Sequence, residues 1–278
     1  MNAARAWAPG NISLLFQVVP HKNPALAGSK GVGFTINEGA TVEVSEASSS
    51  RTTYNGKSIH LPTVSNVVQT LSDIPISVSI TSPLPLGSGF GMSGASALAT
   101  AYATNSLLGL GKTDLELAKV AHRAEVVSKT GLGDVVNQYF GGFFVKFVPS
   151  SKFEVKKLPI KPIPIYCMSH GKLLTSSILT NKTLIKKINV EAEKALKKIK
   201  TLPTVSFGDI TSLANAFTKN TGLVTPEISG QIQEIEARGG HAAQILLGNA
   251  LVSDIPFPGA MKLSMDSKRA MVLGNRGG

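Results

Sequence analysis

One cysteine, Cys167, and one tryptophan, Trp7, stand among 278 residues. A lone cysteine closes no internal disulfide and nucleates no structural zinc site, since both need several partners, so Cys167 reads as a small buried hydrophobe. The five histidines show no metal-ligand spacing either. No run approaches the roughly 20 uninterrupted apolar residues of a membrane-spanning helix, and residues 1–10 lack the apolar centre of a signal peptide, so a cytoplasmic protein without a membrane partner is expected. Repeats and low-complexity segments are missing as well. What is there, 42% hydrophobic side chains over this length, suits a globular fold with one large core or two fused ones.

Acidic residues are scarce, 17 against 28 lysines and arginines, for a formal charge of +11. The surplus is local. Residues 152–200 hold twelve lysines, no arginine and three acids (Glu154, Glu191 and Glu193), which accounts for nine of the eleven charges. Nucleic-acid readers favour arginine and interleave aromatic rings for stacking. Here residues 189–200 instead turn Val190, Ala195, Leu196 and Ile199 inward on a helix and leave lysines outside, so a solvated face is expected and no nucleic-acid partner.

Residues 3–8, 12–19, 32–36, 41–46 and 76–82 are apolar runs separated by turn residues, and read as strands. A helix is expected at about 64–71. From 92 to 108 small and apolar residues recur at helical spacing, and another helix begins at Thr113, which forms a capping box with Glu116. Strand-like runs return at 143–148, 153–158 and 163–168, broken by Pro149, Pro159, Pro162 and Pro164. Helices follow at 183–200, 207–218 and 226–237, the last with Thr225 as N-cap and Pro226 in its first position. Residues 242–247, 250–253, 261–264 and 270–273 read as strands closing a second sheet. This is an α+β order, and the proline-rich stretch divides it into halves 1–150 and 151–278 that share a cleft.

The chemistry is expected at residues 83–92, Pro-Leu-Pro-Leu-Gly-Ser-Gly-Phe-Gly-Met, between strand 76–82 and the helix that follows. A polyphosphate needs backbone N–H groups brought close without side chains in the way, and a helix N-terminus whose unpaired donors favour negative charge. Gly87, Gly89, Gly91 and Gly94 meet the first need and the helix start near Met92 the second, while Ser88 and Ser93 add hydroxyls for phosphate or magnesium. A tight connection built for helix packing is the rival structural reading. Gly89, Gly91 and Gly94 also match G-x-G-x-x-G with Asp114 about twenty residues on, but that acid follows a helix cap instead of ending a second parallel strand, as a dinucleotide site requires. No Gly-Lys-Ser or Gly-Lys-Thr triplet closes a Walker loop.

The run Pro85-x-x-x-Gly89-Phe90-Gly91-Met92-Ser93-Gly94-Ala95 resembles the central P-x-x-x-G-L-G-S-S-A motif of the GHMP kinases, with Met92 for the first serine and Gly94 for alanine. Ala8-Pro9-Gly10-Asn11-Ile12 resembles the N-terminal A-P-G-R-V-N element, and Gly239-Gly240-His241-Ala242-Ala243 a glycine-poor third motif. Within that superfamily the chain most resembles the archaeal pantoate kinases, through Ala8 to Ser13 with Leu15-Phe16, Ala27 to Gly33, Ala121-His122-Arg123-Ala124-Glu125, Thr130 to Val135, Gln138, Gly141-Gly142 and Leu246-Leu247-Gly248-Asn249. The resemblance implies a two-lobed fold with an N-terminal half like ribosomal protein S5 domain 2 and a ferredoxin-like C-terminal half. It implies ATP and Mg2+ as cofactors, transfer of phosphate to pantoate in coenzyme A synthesis, and a homodimer. Another GHMP activity, on homoserine, shikimate or mevalonate, is the nearest alternative, and a non-catalytic nucleotide or RNA binder a more distant one.

Phosphoryl transfer asks for a phosphate cradle, a metal ligand and a group beside the acceptor hydroxyl. The cradle is Pro85, Gly87, Ser88, Gly89, Gly91, Met92, Ser93, Gly94 and Ala95. The resemblance places the magnesium-binding acid at Glu125, with Ser93 as a hydroxyl ligand; an exposed helix glutamate is the plain reading. Asp134 follows Gly131-Leu132-Gly133, where pliable backbone can present a carboxylate as base or orienting group, and an N-cap of the next helix is equally open. For the pantoate carboxylate the pool is Lys30, Lys22, His21, Ser13 and Arg123, with Lys30 and Ser13 foremost; His122 and His241 read as packed or exposed.

Overall fold

The computed structural model describes residues 3–172 and 175–276. Two long antiparallel strands form its spine, β1 (Ala3–Val19) and β2 (Gly28–Glu46). The two strands expected within each of these stretches are one, because the register shifts absorb the turn residues: β1 slips between Pro9 and Asn11 and again between Ser13 and Leu15. Such bulges re-aim side chains, and these two turn Asn11 and Ser13 toward the site described below.

Beyond β2 the chain forms the hairpin β3 (Arg51–Tyr54) and β4 (Lys57–Ser58), helix α1 (Pro62–Leu71) and strand β5 (Ile76–Thr81). The sequence reading passed over that hairpin, although Asn55-Gly56 carries a type I′ turn signal, and both residues have the positive φ it needs, 49° and 78°. Three helices follow: α2 (Met92–Leu108), α3 (Asp114–Ser128) and α4 (Asp134–Phe140). α2 is built from small residues, which lets it lie on β1 and β2 with α1 and α3 against its sides, buried around most of its circumference. β6 (Phe143–Lys146) pairs with β2 and with the short β7 (Lys156–Lys157). The expected strand at 153–158 shrinks to those two residues because a 3₁₀ turn at Ser150–Lys152 and a left-handed Phe153 (φ 52°) precede it.

The second half carries β8 (Pro164–Ser169), helices α5 (Thr175–Thr180), α6 (Lys182–Thr201), α7 (Phe207–Thr221) and α8 (Pro226–Ala237), and strands β9 (Ala242–Ile245), β10 (Ala250–Ser253) and β11 (Met261–Ser264). Its sheet is antiparallel in the order β11-β8-β10-β9, so its strands lie fourth, first, third, second in chain sequence, as in the expected ferredoxin-like half. The last strand corrects the sequence reading. β12 (Met271–Arg276) joins the first sheet beside β1, giving the order β12-β1-β2-β5-β3-β4, because the open edge of β1 offers it a full ladder. β12 thus crosses the division drawn at residue 150, and one apolar cluster runs from Ile12 and Phe34 to Ile188 and Phe217. Asn189 of α6 ties the halves again, bonding the N–H and C=O of Val18 at 2.8 and 3.0 Å. α6 buries Ile188, Ala192, Ala195, Leu196 and Ile199 and leaves its lysines outside; Val190, expected inward, is exposed. Among the described residues no helix is long and apolar enough to cross a membrane.

Candidate active site

The glycine loop ends at α2, whose N-cap Gly91 is left-handed (φ 64°) and whose first turn carries no side-chain cap. Gly87 and Gly89 are left-handed too, at 77° and 93°, a conformation other residues enter only with strain. The loop is held from behind. Phe90 is buried and its carbonyl accepts the Asn11 N–H at 2.9 Å, Tyr54 Oη donates to the Leu84 carbonyl at 2.6 Å, and Gln138 Nε2 donates to the Gly91 carbonyl at 2.8 Å. The uncapped amides at the start of α2 face a cavity of about 50 Å³ lined by Gly87, Gly89, Gly91, Met92, Ser93 and Thr130 among others. Ala95 needs correcting: it is fully buried and its N–H donates to the Gly91 carbonyl at 3.0 Å, so the helix has already consumed the donor expected for phosphate. Pro85 is half-buried, while Ser88 and Gly94 are buried behind the loop surface.

Asp134 is the first residue of α4, with Gly133 in the N-cap position, so the capping alternative does not hold. Its Oδ1 accepts from Asn11 Nδ2 at 2.7 Å and Ser13 Oγ at 3.3 Å. Asn11 Oδ1 in turn accepts from Asn137 Nδ2 at 2.8 Å, and Asn137 Oδ1 accepts from Lys146 Nζ at 2.7 Å. Lys146 also donates to the Gly133 carbonyl at 3.2 Å. Burial pulls this ammonium down to about 8, against the opposing charges of Asp134 and Glu125. Sequence reasoning missed Lys146; its signal was a lysine set among the apolar residues of a strand, where a cation is costly unless it serves a site.

Glu125, on α3, has no exposure at all, and among the described residues no side chain hydrogen-bonds its carboxylate, which meets the backbone N–H of Val135. Glycines wall it in. A Cβ on Gly131 would stand 2.7 Å from Oε1, and one on Gly94 would stand 3.1 Å from Oε2, which gives a physical reason for glycine in place of the motif's alanine. Burial, reinforced by the charge of Asp134, raises Glu125 well above the usual carboxylate range. Burial also raises Asp134, while Lys146, Asn11 and Ser13 oppose it. Ser93, beside Gly94, reaches the same region through Thr63 (3.1 Å), which contacts Thr130 (2.9 Å).

A second cavity, of about 30 Å³, is lined by Ser13, Ser29, Lys30, Lys146 and Asp134. Asp134, Leu246 and Leu247 wall both cavities. The structure therefore brings Ser13, Lys30 and Asp134 together on one side of this wall and the glycine loop on the other. His21 and Lys22 are exposed on the β1–β2 turn, and Arg123 lines a separate groove with Leu26 and Phe153, which removes all three from the pool facing Asp134. His122 is packed, its Nε2 3.0 Å from the Ala27 carbonyl. The third motif is corrected as well. Gly240 packs on Ile255 and Ile235, and His241 pairs with Asp254 at 2.7 Å. The backbone that meets the loop is at the β9–β10 turn, where a Cβ on Gly248 would stand 2.3 Å from the Ser88 carbonyl oxygen.

Residues 60–142 match the family profile of the GHMP kinases N terminal domain. The pantoate kinase of Methanocaldococcus jannaschii is 34% identical over 250 residues, covering 88% of this chain and 90% of that protein. The chain belongs to the pantoate kinase family of the GHMP kinases. Another pantoate kinase, from Methanospirillum hungatei, is 30% identical over 251 residues, with 87% of this chain and 84% of that protein covered. A solved structure described as a phosphotransferase related to the CoA biosynthesis pathway superposes with a TM-score of 0.85 at 26% identity, over 98% of both chains. The α+β, two-lobed GHMP fold expected from the motifs is the fold observed.

The contact of Gly248 with Ser88 gives a first test. In a Gly248→Ala variant of this pantoate kinase family member, main chain meets methyl group and neither side can yield by a rotamer change, so the loop and the turn must part. The expected outcome is a loss of about 1–3 kcal/mol in thermal unfolding and at least a tenfold rise in the KM for ATP.

Proposed function

We propose that the chain transfers the γ-phosphoryl group of ATP to the primary hydroxyl of pantoate, giving 4-phosphopantoate for coenzyme A synthesis. Asp134 carries this reading, because it walls both cavities, with the glycine loop on one side and the cations Lys30 and Lys146 on the other. ATP phosphates lie against the α2 N-terminus and the loop amides, which hold the charge that develops on the transferring group. Lys146 and Lys30 hold the pantoate carboxylate, with Ser13 beside them. Asp134 accepts or orients the proton of the attacking hydroxyl; the new bond from that oxygen to phosphorus forms as the bond to the β-phosphate oxygen breaks, and ADP leaves. The acceptor cavity encloses about one water's volume, so pantoate enters by displacing the Leu246–Leu247 turn, where Leu247 sits in a left-handed conformation (φ 58°).

The donor set fits Mg2+, because a fully buried carboxylate that no described side chain hydrogen-bonds lies beside the loop at Gly94. Glu125 and Ser93 would hold the ion, and bound there it supplies neutralisation of phosphate charge. Among the described residues no cluster of three acids, histidines or cysteines exists, so the remaining ligands would be phosphate and water, the usual magnesium arrangement in kinases. The same reading places the enzyme in the cytoplasm as a homodimer. The free, buried Cys167 is compatible with a reducing compartment. Edge strand β12 exposes Met271, Val272 and Leu273 in succession, which supports pairing of two copies.

The test is ATP consumption against a panel of acceptors, with the product identified by phosphorus NMR. Pantoate should be turned over, and homoserine, shikimate and mevalonate should not; turnover of homoserine without pantoate defeats the assignment. The acceptor side predicts a pH dependence. Lys146 binds carboxylate as a cation and loses its proton at about 8, so kcat/KM for pantoate should fall about tenfold per unit above that pH while KM for ATP does not. Lys146→Met should show a low kcat/KM for pantoate with no alkaline limb.

A further inference from the structure

The second sheet reaches the glycine loop at two points, and the β9–β10 turn is one of them. The other is the segment leaving β8. Its anchor is His170, whose N–H donates to the Asn249 carbonyl at 2.7 Å and whose carbonyl accepts from Asn249 Nδ2 at 3.2 Å. Its ring nitrogens lie 3.0 Å from Glu227 Oε1 and 2.8 Å from Gln231 Oε1, both on α8. Gly171 then turns the chain at φ 114° and delivers Lys172 over the loop. A Cβ on Gly87 would stand 3.5 Å from Lys172 Cγ and 3.7 Å from its Cβ and Cδ. Gly87 is itself exposed, so an aliphatic stem lies along the open end of the phosphate cradle. Among the described residues the Lys172 ammonium has no ion-pair or hydrogen-bond partner.

Charge says what that ammonium is for. No lysine or arginine lines the loop cavity, whereas the Asp134 carboxylate does line it and Glu125 adjoins the loop at Gly94. A polyphosphate brought there meets helix and glycine amides and the acid Asp134, but no cationic side chain. Lys30 and Lys146 face the other cavity. We infer that Lys172 clamps the nucleotide polyphosphate, its ammonium closing on phosphate oxygens from the second lobe while the α2 N-terminus holds them from the first. Lysine serves this purpose as a flexible point charge, and His170 is the positioning residue that sets where it stands. The inference rests on the glycine loop being the nucleotide site.

Calorimetric titration with ATP, ADP and AMP in the presence of MgCl2, alongside steady-state kinetics, tests it on wild type, Lys172→Met and Lys172→Arg. Lys172→Met should raise the KM for ATP 10- to 100-fold, leave the KM for pantoate within twofold, weaken ATP far more than AMP, and lose the salt dependence of ATP binding. Lys172→Arg should recover most of the affinity. Lys172 is exposed, so neither variant threatens the fold. Equal ATP affinity in wild type and Lys172→Met overturns the clamp alone. Failure of wild type to bind ATP at all overturns the glycine-loop reading, and the clamp with it.

Discussion

Asp134→Asn should lower kcat by about 10³-fold or more while the thermal transition and the KM for ATP stay near those of the wild type. The substitution keeps the shape of the side chain and its contacts with Asn11 Nδ2 and Ser13 Oγ, yet removes the charge and the ability to take a proton. General-base assistance in this class of reaction is worth about 10²–10⁴-fold, and charge alignment of the acceptor adds to it. A loss of only tenfold would mean that Asp134 merely orients the hydroxyl and that the cradle does the rest. The same change tests the network behind it. Asp134 is the larger of the two charges that hold the Lys146 ammonium up against burial, so in Asp134→Asn the alkaline limb of pantoate binding should move below its wild-type position near 8. A limb that does not move would show that Lys146 is not coupled to Asp134.

Much of this was legible in the chain. Helices α2, α3 and α8 announce their ends through Gly91, the Thr113–Glu116 capping box and Thr225-Pro226, signals that act within four residues and need no tertiary context. The glycine loop was legible for the same reason, since a helix N-terminus stripped of side chains is a local property. What escaped depends on partners distant in sequence. Residues 270–273 read as a strand, but the alternation of a strand does not say which edge will receive it, and the open edge of β1 decided that. Lys146 was hidden because its meaning lies in Asn137, Gly133 and Asp134, joined to it by folding. Ala95 was misread in the opposite way: the motif includes it, but the first turn of α2 spends its amide on Gly91. The β3–β4 hairpin was legible in Asn55-Gly56 and simply passed over.

Glu125→Gln should abolish turnover and yet make the metal-free protein more stable. A fully buried carboxylate raises the free energy of the folded state, because burial costs its charged form more than the Val135 backbone N–H and the Lys146 charge return. The neutral amide removes that penalty while filling the same space between Gly94 and Gly131, so the thermal midpoint should rise, by about 2–4 °C for each kcal/mol relieved. The gain has a defined pH signature. Glu125 holds its proton more firmly folded than unfolded, so the stability it contributes is present below the ordinary carboxylate pKa and is lost as pH rises through its raised folded value. The advantage of Glu125→Gln should therefore be small near pH 4 and grow toward pH 8, and equal stabilisation at both would show that the carboxylate is not the source. Magnesium should reverse the ranking: with MgCl2 and a nucleotide the wild type gains stability through a ligand that binds only the folded state, and the variant does not. That reversal is what a destabilising acid held at the centre of the fold for a cation would produce, and a variant that stays more stable with MgCl2 and nucleotide present would defeat the metal-ligand role of Glu125.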